Sequence, residues 1–190
     1  SGMPCRYIPD NQGACDHLEE SVLPAETLGA RYFVPRPTGP GGAAVGHVVR
    51  LVGNANNTAL SYPGGQPPGA PATLNAGQVV DLGVVNVDFE IVGDKEFAIA
   101  MFQQGASVAD PVSQRGDPAQ SAATAVEQFR SKYVFLAPSD YDTNFVDIVM
   151  PTGAQVTLDG APLGVAPVAL SSGFAVARVQ LSTGNNGAHL

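Results

Sequence analysis

Glycine and proline interrupt this chain so often that long helices have little room to form. The 190 residues include 22 Gly and 16 Pro, and only 14% of the sequence is charged. So few charged positions could not cover many amphipathic helices, whereas short strands joined by turns suit this composition. Between the interruptions, apolar and polar residues alternate with a period of two, which is the pattern of half-buried strands.

Clusters of Asn, Gly and Pro separate the alternating stretches, and these stretches predict roughly ten strands. The predicted strands cover residues 31–34, 45–52, 58–62, 78–82, 88–92, 97–103, 133–136, 145–150, 155–163 as a hairpin, and 174–181. The hairpin is predicted to turn at Asp159-Gly160, a pair favoured where both turn residues need positive φ. The sequence therefore predicts an all-β fold, an antiparallel β-sandwich-like domain with a short N-terminal helical cap.

The helical cap is predicted near the start of the chain. Asp16 is a helix-capping residue type, and the carboxylates that follow it suit a first helical turn. We therefore divide the chain into an N-terminal cap segment, residues 1–29, and a β domain, residues 30–190. Within the β domain, residues 105–124 lack bulky apolar side chains and predict a long exposed loop. Residues 125–130 are expected to form one or two helical turns.

The charge pattern argues against several classes of partner. The net charge is −8, the pI is near 4.6, and the nine basic residues are scattered along the chain. Nucleic-acid binding is therefore not expected, because it requires clustered Lys and Arg. The longest apolar runs, such as residues 97–102, are far shorter than the roughly 20 residues of a membrane span. Membrane insertion is not expected either.

The two cysteines indicate the cellular compartment. Cys5 and Cys15 lie close together, with turn-forming residues between them. A disulfide between them would close a small loop, worth roughly 2–3 kcal/mol by the chain-entropy account. Two free thiols or half of a metal site are the alternatives. We favour the disulfide, which implies an oxidising, extracellular setting.

A set of segments in a characteristic order and spacing runs through most of the chain, at residues 16–24, 28–34, 116–118, 127–130, 133–138, 144–146 and 156–160. Together these segments resemble the N-terminal domain of IgG Fc-binding protein and its bacterial relatives. It implies a secreted or cell-surface protein, often of several domains, and a non-catalytic binding module. The family name comes from antibody binding by an animal mucosal protein, and this activity is not transferred to the chain here.

The resemblance also implies more sheet than the sequence contains. Bacterial members typically continue with a Tyr- and Gly-rich segment after the equivalent of His189. The β domain is therefore expected to be truncated before its last strand or strands. An unpaired sheet edge would then be open to pairing with another chain.

One loop has the spacing of a calcium site. Asp140, Asp142 and Asn144 are alternate oxygen-bearing residues, as a hard cation prefers. The Gly and the distal Glu of an EF-hand are missing, and Asp and Asn are also common in plain turns. Ca²⁺ is thus a weak expectation, and no other cofactor is expected.

The sequence offers little that suggests an enzyme. It contains no Gly-x-Ser-x-Gly, Ser-x-x-Lys or His-Glu-x-x-His motif. His17, His47 and His189 lack a His or Cys at ligand spacing, and His47 is predicted on the outer face of a strand. Pairs of carboxylates, such as Asp94 and Glu96, leave a glycoside hydrolase as a remote alternative. No catalytic residue is assigned.

The leading hypothesis is therefore an extracellular recognition or adhesion module that binds a protein or glycoprotein. Its contact surfaces are expected in the loops at residues 35–42, 62–72 and 105–124, since loops on a rigid sheet scaffold commonly bind ligands. Tyr62 and Tyr141 are the preferred contact residues, because Tyr supplies area at low entropic cost. A structural spacer without a ligand is the alternative.

Overall fold

The computed structural model describes residues 17–22, 24–138, 141–181 and 188–190, and these are almost entirely strands and turns. The strands are β1 (Gly29–Val34), β2 (His47–Gly53), β3 (Thr58–Ser61), β4 (Thr73–Leu74), β5 (Val79–Val85), β6 (Phe89–Gln103), β7 (Ala119–Ala122), β8 (Phe135–Leu136), β9 (Phe145–Pro151), β10 (Thr157–Leu158), β11 (Ala161–Pro162), β12 (Val168–Ala169), β13 (Phe174–Gln180) and β14 (Ala188–His189). One α-helical turn, α1 (Ala106–Ala109), and two 3-10 turns, Ala25–Thr27 and Val126–Gln128, complete the elements. The all-β prediction is confirmed.

The long strand β6 organises the largest sheet. Its first half pairs with β1 on one side and with β3 on the other, while its second half pairs with β7 and β2. All of these pairings are antiparallel, and β5 extends the sheet beyond β2. The strand changes partners around Gly93, where an added Cβ would lie 2.7 Å from the Lys95 carbonyl oxygen and 3.0 Å from the Phe97 ring.

The main core lies on one face of this sheet. Period-two alternation sends every second residue inward, so Phe89, Ile91, Phe97 and Ile99 of β6 are all buried. Neighbouring strands contribute to the same cluster in the same way. Its other buried members are Tyr32, Val34, Val49, Leu51, Leu74, Val85 and Ala125.

A smaller sheet, in the order β12-β13-β9, packs near the opposite face of β1 and β6. Phe33 of β1 meets Phe174 of β13, with ring centroids 4.4 Å apart. The Arg31 guanidinium lies 5.1 Å from the centroid of each of these rings and is 2.7 Å from Glu90 Oε1. Ser171 donates to the other oxygen of Glu90 at 2.5 Å, so a buried carboxylate joins the two sheets.

Glu90 is almost fully buried, yet it is held as a charged acceptor. Burial alone would raise its pKa, but hydrogen bonds from Ser171, Ser172 and Arg31, together with the charge of Arg31, outweigh burial and lower the pKa. A buried carboxylate of this kind stabilises the interface only while its partners are present.

Several local predictions agree with the structure. Asp159 and Gly160 have φ values of 53° and 80°, and Leu158 pairs with Ala161 across the turn. The hairpin is therefore formed as the Asp-Gly pair predicts. The helical turn expected within residues 125–130 is present as the 3-10 turn Val126–Gln128.

Other predictions differ from the structure. The strands predicted at 88–92 and 97–103 are one strand, β6, because Gly93 bends the chain without ending it. The loop predicted at 105–124 contains α1 and β7, since β7 pairs its backbone with the end of β6. The helical cap is not seen at residues 17–22, and the first helical turn described is Ala25–Thr27.

His47 was predicted on an outer strand face, and this placement is wrong. The residue is 1% exposed, because the face of β2 that carries it is covered by other parts of the fold.

Candidate functional site

A cleft of about 370 Å³ opens between three loops at the end of β6, and we call it the loop cleft. Its volume lies within the range of small-molecule sites. The lining residues are Thr38, Gly39, Pro40, Val45, Gln103, Gln104, Ala109, Gly116, Asp117, Pro118, Ala119, Pro138, Tyr141, Thr143, Asn144, Phe145 and Asp147. Two of the three loops predicted as contact surfaces therefore meet at one place.

Asp147 fixes one wall of the loop cleft. The residue lies on β9, and its two carboxylate oxygens accept hydrogen bonds from Thr38, one from the backbone N–H at 3.0 Å and one from Oγ1 at 2.6 Å. Burial raises the pKa of Asp147, although these bonds and the charge of Arg178 lower it. Both oxygens are occupied, so Asp147 serves as an anchor for the loop at residues 35–42.

The floor of the loop cleft carries two carboxamides. Gln103 ends β6, and Gln104 follows it just before α1. Gln104 is 8% exposed and lines the loop cleft. A carboxamide offers two donors and an acceptor. The small remaining exposure opens onto the loop cleft.

Two aromatic side chains line the same space. Tyr141 is 47% exposed, and Phe145, the first residue of β9, is half-buried. Gly116 closes the opposite loop with a φ of +100°, a conformation that L side chains rarely adopt. The lining is thus a mixture of amide, carboxylate and aromatic groups.

A partly buried polar cluster connects the loop at residues 35–42 to both sheets. Asp88, just before β6, accepts from the Arg36 backbone N–H at 2.7 Å and from Arg178 Nη2 at 2.9 Å. Arg178 faces Asp147 across the β9–β13 pair and also donates to the carbonyl of Arg36 at 3.2 Å. These contacts connect the seven-stranded sheet to the smaller one and hold the cleft walls in place.

His47 belongs to this polar cluster. Burial is the main reason why its pKa is lowered to about 4. The positive charge of Arg36 lowers the pKa further, whereas the negative charge of Asp88 raises it. The imidazole is therefore neutral at physiological pH. Its Nε2 has no hydrogen-bond partner among the residues the structure describes.

The family model described as IgGFc binding protein matches residues 1–190. The chain belongs to the IgGFc-binding protein family. Neither the curated proteins nor the solved structures contain a match.

Membership in the IgGFc-binding family agrees with the resemblance seen in the sequence. It assigns the chain to a binding family that is not known for enzymatic activity. Within the described residues, no group of three or more His, Cys, Asp or Glu side chains could hold a metal ion. No described helix has the length and apolarity needed to cross a membrane.

Tyr62 and Tyr141, the two predicted contact residues of this IgGFc-binding family member, differ in burial and in the groups they contact. Tyr141 lies at the loop cleft and keeps half of its surface exposed. Tyr62 packs against the main core, and its hydroxyl donates to the carbonyl of Pro71 at 2.7 Å. Burial raises the pKa of Tyr62 to about 12. Tyr62 thus braces its own loop, which leaves little of its area for a ligand.

The loop at 62–72 lies at a second cleft of about 420 Å³, beside Arg36 and Ser171. This second cleft is distinct from the loop cleft, although Arg36 of the loop at residues 35–42 also lines it. Its lining includes Gly64, whose added Cβ would lie 3.0 Å from Ser171 Cβ. This loop and the β12–β13 connection pack closely.

The predicted calcium and disulfide residues are only partly covered by the structure. Asp140, Cys5 and Cys15 lie outside the described residues. Asp142 is exposed, and the Asn144 side-chain N–H donates to the carbonyl of Pro138 at 3.0 Å. The Asn144 amide therefore braces its loop, and both the calcium site and the disulfide stay predictions.

The carboxylate pair considered for hydrolysis is engaged elsewhere. Asp94 accepts from the Ala59 backbone N–H at 2.7 Å, and Glu96 accepts from Asn54 at 3.0 Å. Both contacts are exposed and lie in the region where β6 changes partners.

His189 is also buried, at 2% exposure. Its Nδ1 lies 2.7 Å from Asp159 Oδ2, and its ring stacks on Phe135. The hydrogen bond to His189 is the main reason why the pKa of Asp159 is lowered. The pair connects β14 to the β10–β11 hairpin.

Sequence reasoning missed the most informative cleft residues, Gln104 and Asp147. A signal was available for the first, because two carboxamides end an otherwise apolar strand. No local signal exists for Asp147, since its partner Thr38 lies 109 residues away in the sequence.

Proposed function

We propose that this chain is an extracellular, non-catalytic recognition module that binds a protein or glycoprotein ligand through the loop cleft. The observation that carries the proposal is the convergence of two predicted contact loops on a cleft that the carboxamides of Gln103 and Gln104 line together with Tyr141 and Phe145. Family membership supports binding as the activity. We also propose that the module is part of a secreted or cell-surface protein. Its relationship to the bacterial members of the family is part of the same proposal.

The geometry supports binding over hydrolysis. A glycoside hydrolase needs one carboxylic acid free to deliver its proton and a second carboxylate across the substrate. Asp147 has the raised pKa of a proton donor, but Thr38 occupies both of its oxygens. The other carboxylate that the structure describes in the lining, Asp117, is exposed. The cleft is therefore suited to holding a ligand intact.

The proposal is tested by surface plasmon resonance against immobilised glycoproteins, with the Fc fragment of IgG among them. We expect saturable binding to at least one of them and a clear loss of affinity in Tyr141→Ala. Tyr133→Ala is the matched control, because Tyr133 is similarly exposed, at 52%, and does not line the cleft. A chain that binds none of the immobilised proteins would support the spacer alternative instead.

A further inference from the structure

The charges of the loop cleft exclude one class of ligand. Within the described part of the chain, no Lys, Arg or His lines it. A phosphate, a sulfate or a carboxylate ligand would lose its hydration without gaining a cationic partner, and burying an unpaired charge is costly. The carboxylates of Asp117 and Asp147 would repel such a ligand further. Anionic ligands do not fit this site.

A cationic ligand is also disfavoured. The charge of Asp147 already has compensation, because Thr38 bonds both of its oxygens and Arg178 faces it across the strand pair. The other carboxylate, Asp117, is exposed to solvent, where an ion pair contributes little. Among the residues that the structure describes, the loop cleft therefore offers a Lys or Arg side chain no buried, uncompensated acid.

The polar groups that remain match hydroxyl groups. Gln104 presents donors and an acceptor together, and Gln103 adds the same groups at the more exposed end. A hydroxyl both donates and accepts, so neighbouring hydroxyls satisfy a carboxamide completely.

The aromatic groups match the remaining surface of a sugar. Each sugar ring has an apolar face of C–H groups, and aromatic rings pack against such faces over a large area. Tyr141 and Phe145 supply two rings in the same cleft as the carboxamides. Resting on the proposed function, we infer that the loop cleft binds a neutral saccharide, made of hexoses or N-acetylhexosamines, carried by the glycoprotein ligand.

The test is a binding panel of neutral oligosaccharides with their sialylated and sulfated counterparts, together with a Lys-rich peptide. We expect the neutral saccharides to bind and the charged probes not to bind. Tyr141→Ala should weaken the saccharide affinity about tenfold through lost packing. Gln104→Met keeps the side-chain volume but removes the hydrogen bonds, and it should also weaken affinity about tenfold. Tyr133→Ala should stay within about twofold of the wild type.

Thermal unfolding of Gln104→Met shows whether the buried variant remains folded. Tyr141→Ala decides the question if it does not, since Tyr141 is half-exposed. Preference for sulfated or sialylated probes, binding of the Lys-rich peptide, or unchanged saccharide affinity in Tyr141→Ala overturns the inference.

Enzymatic removal of glycans separates this inference from the proposed function. If the chain binds a glycoprotein equally well before and after deglycosylation, the saccharide inference fails while the recognition module stands. If it binds neither form of any glycoprotein, the proposed function itself fails. Loss of binding on deglycosylation supports both.

Discussion

The buried, neutral imidazole of His47 should make the fold sensitive to mild acid. The folded pKa is about 4, below the ordinary value of 6.5, so the unfolded chain takes up a proton at a higher pH than the folded protein does. The stability that His47 contributes is therefore complete above pH 6.5 and is lost as the pH falls towards 4. One pKa unit corresponds to about 1.4 kcal/mol, so the full effect is about 3 kcal/mol.

Most of this loss should occur before the carboxylates titrate. At pH 5 the linkage relation gives a loss of about 2 kcal/mol relative to pH 7.5. The lowered pKa of Glu90 affects stability only in more acidic solution, because its ordinary value is 4.5. The raised pKa of Asp147 acts in the opposite direction, since stability from a protonated carboxyl is lost as the pH rises. A comparison of variants is therefore needed to isolate His47.

Urea unfolding of the wild type and His47→Gln between pH 7.5 and pH 5 measures the effect. The free energy of unfolding of the wild type should fall by about 2 kcal/mol more than that of the variant over this range. His17→Gln is the matched control, because His17 has an exposed side chain, and it should follow the wild type. Parallel curves for the wild type and His47→Gln would refute the account of a buried neutral imidazole.

Three further predictions concern the connections that hold the fold together. Arg178→Met leaves Asp88 and Asp147 without a shared cation. It should lower the free energy of unfolding by about 3 kcal/mol in urea titrations at pH 7. A loss below about 1 kcal/mol would contradict the role given to this cluster. Leu74→Ala, at a position with 0% exposure, should cost about 3 kcal/mol by the same measurement, whereas Val168→Ala, at a 54% exposed position, should cost under about 0.5 kcal/mol. In the unfolded chain, Cys5 and Cys15 should resist alkylation until a reductant is added, and intact mass spectrometry measures this. If two alkyl groups are added without reductant, the disulfide is excluded.

The parts of the fold that the sequence could predict are those set by local chemistry. The Asp159-Gly160 turn needs only two residues that tolerate positive φ, and it forms where expected. Strand positions such as 174–181 follow from alternation, and β13 occupies almost the same range. In each of these cases, neighbouring residues contain enough information to specify the structure.

The parts that could not be predicted depend on contacts between distant segments. Gly93 is a turn signal in isolation, but pairing on both sides carries β6 through it. His47 is buried because the fold covers its strand face, which no pattern within β2 reveals. The loop cleft could not be predicted either, because Thr38 and Asp147 become neighbours only through tertiary structure.

The most direct test of the central claim is a ¹H–¹⁵N NMR titration of the folded chain with a mixture of neutral oligosaccharides at millimolar concentration. Our account predicts shifts concentrated at the amides of Gln104, Gly116 and Tyr141, with little change along the loop at residues 62–72. Shifts confined to the 62–72 loop, or no shifts at all, would contradict recognition of a saccharide at the loop cleft.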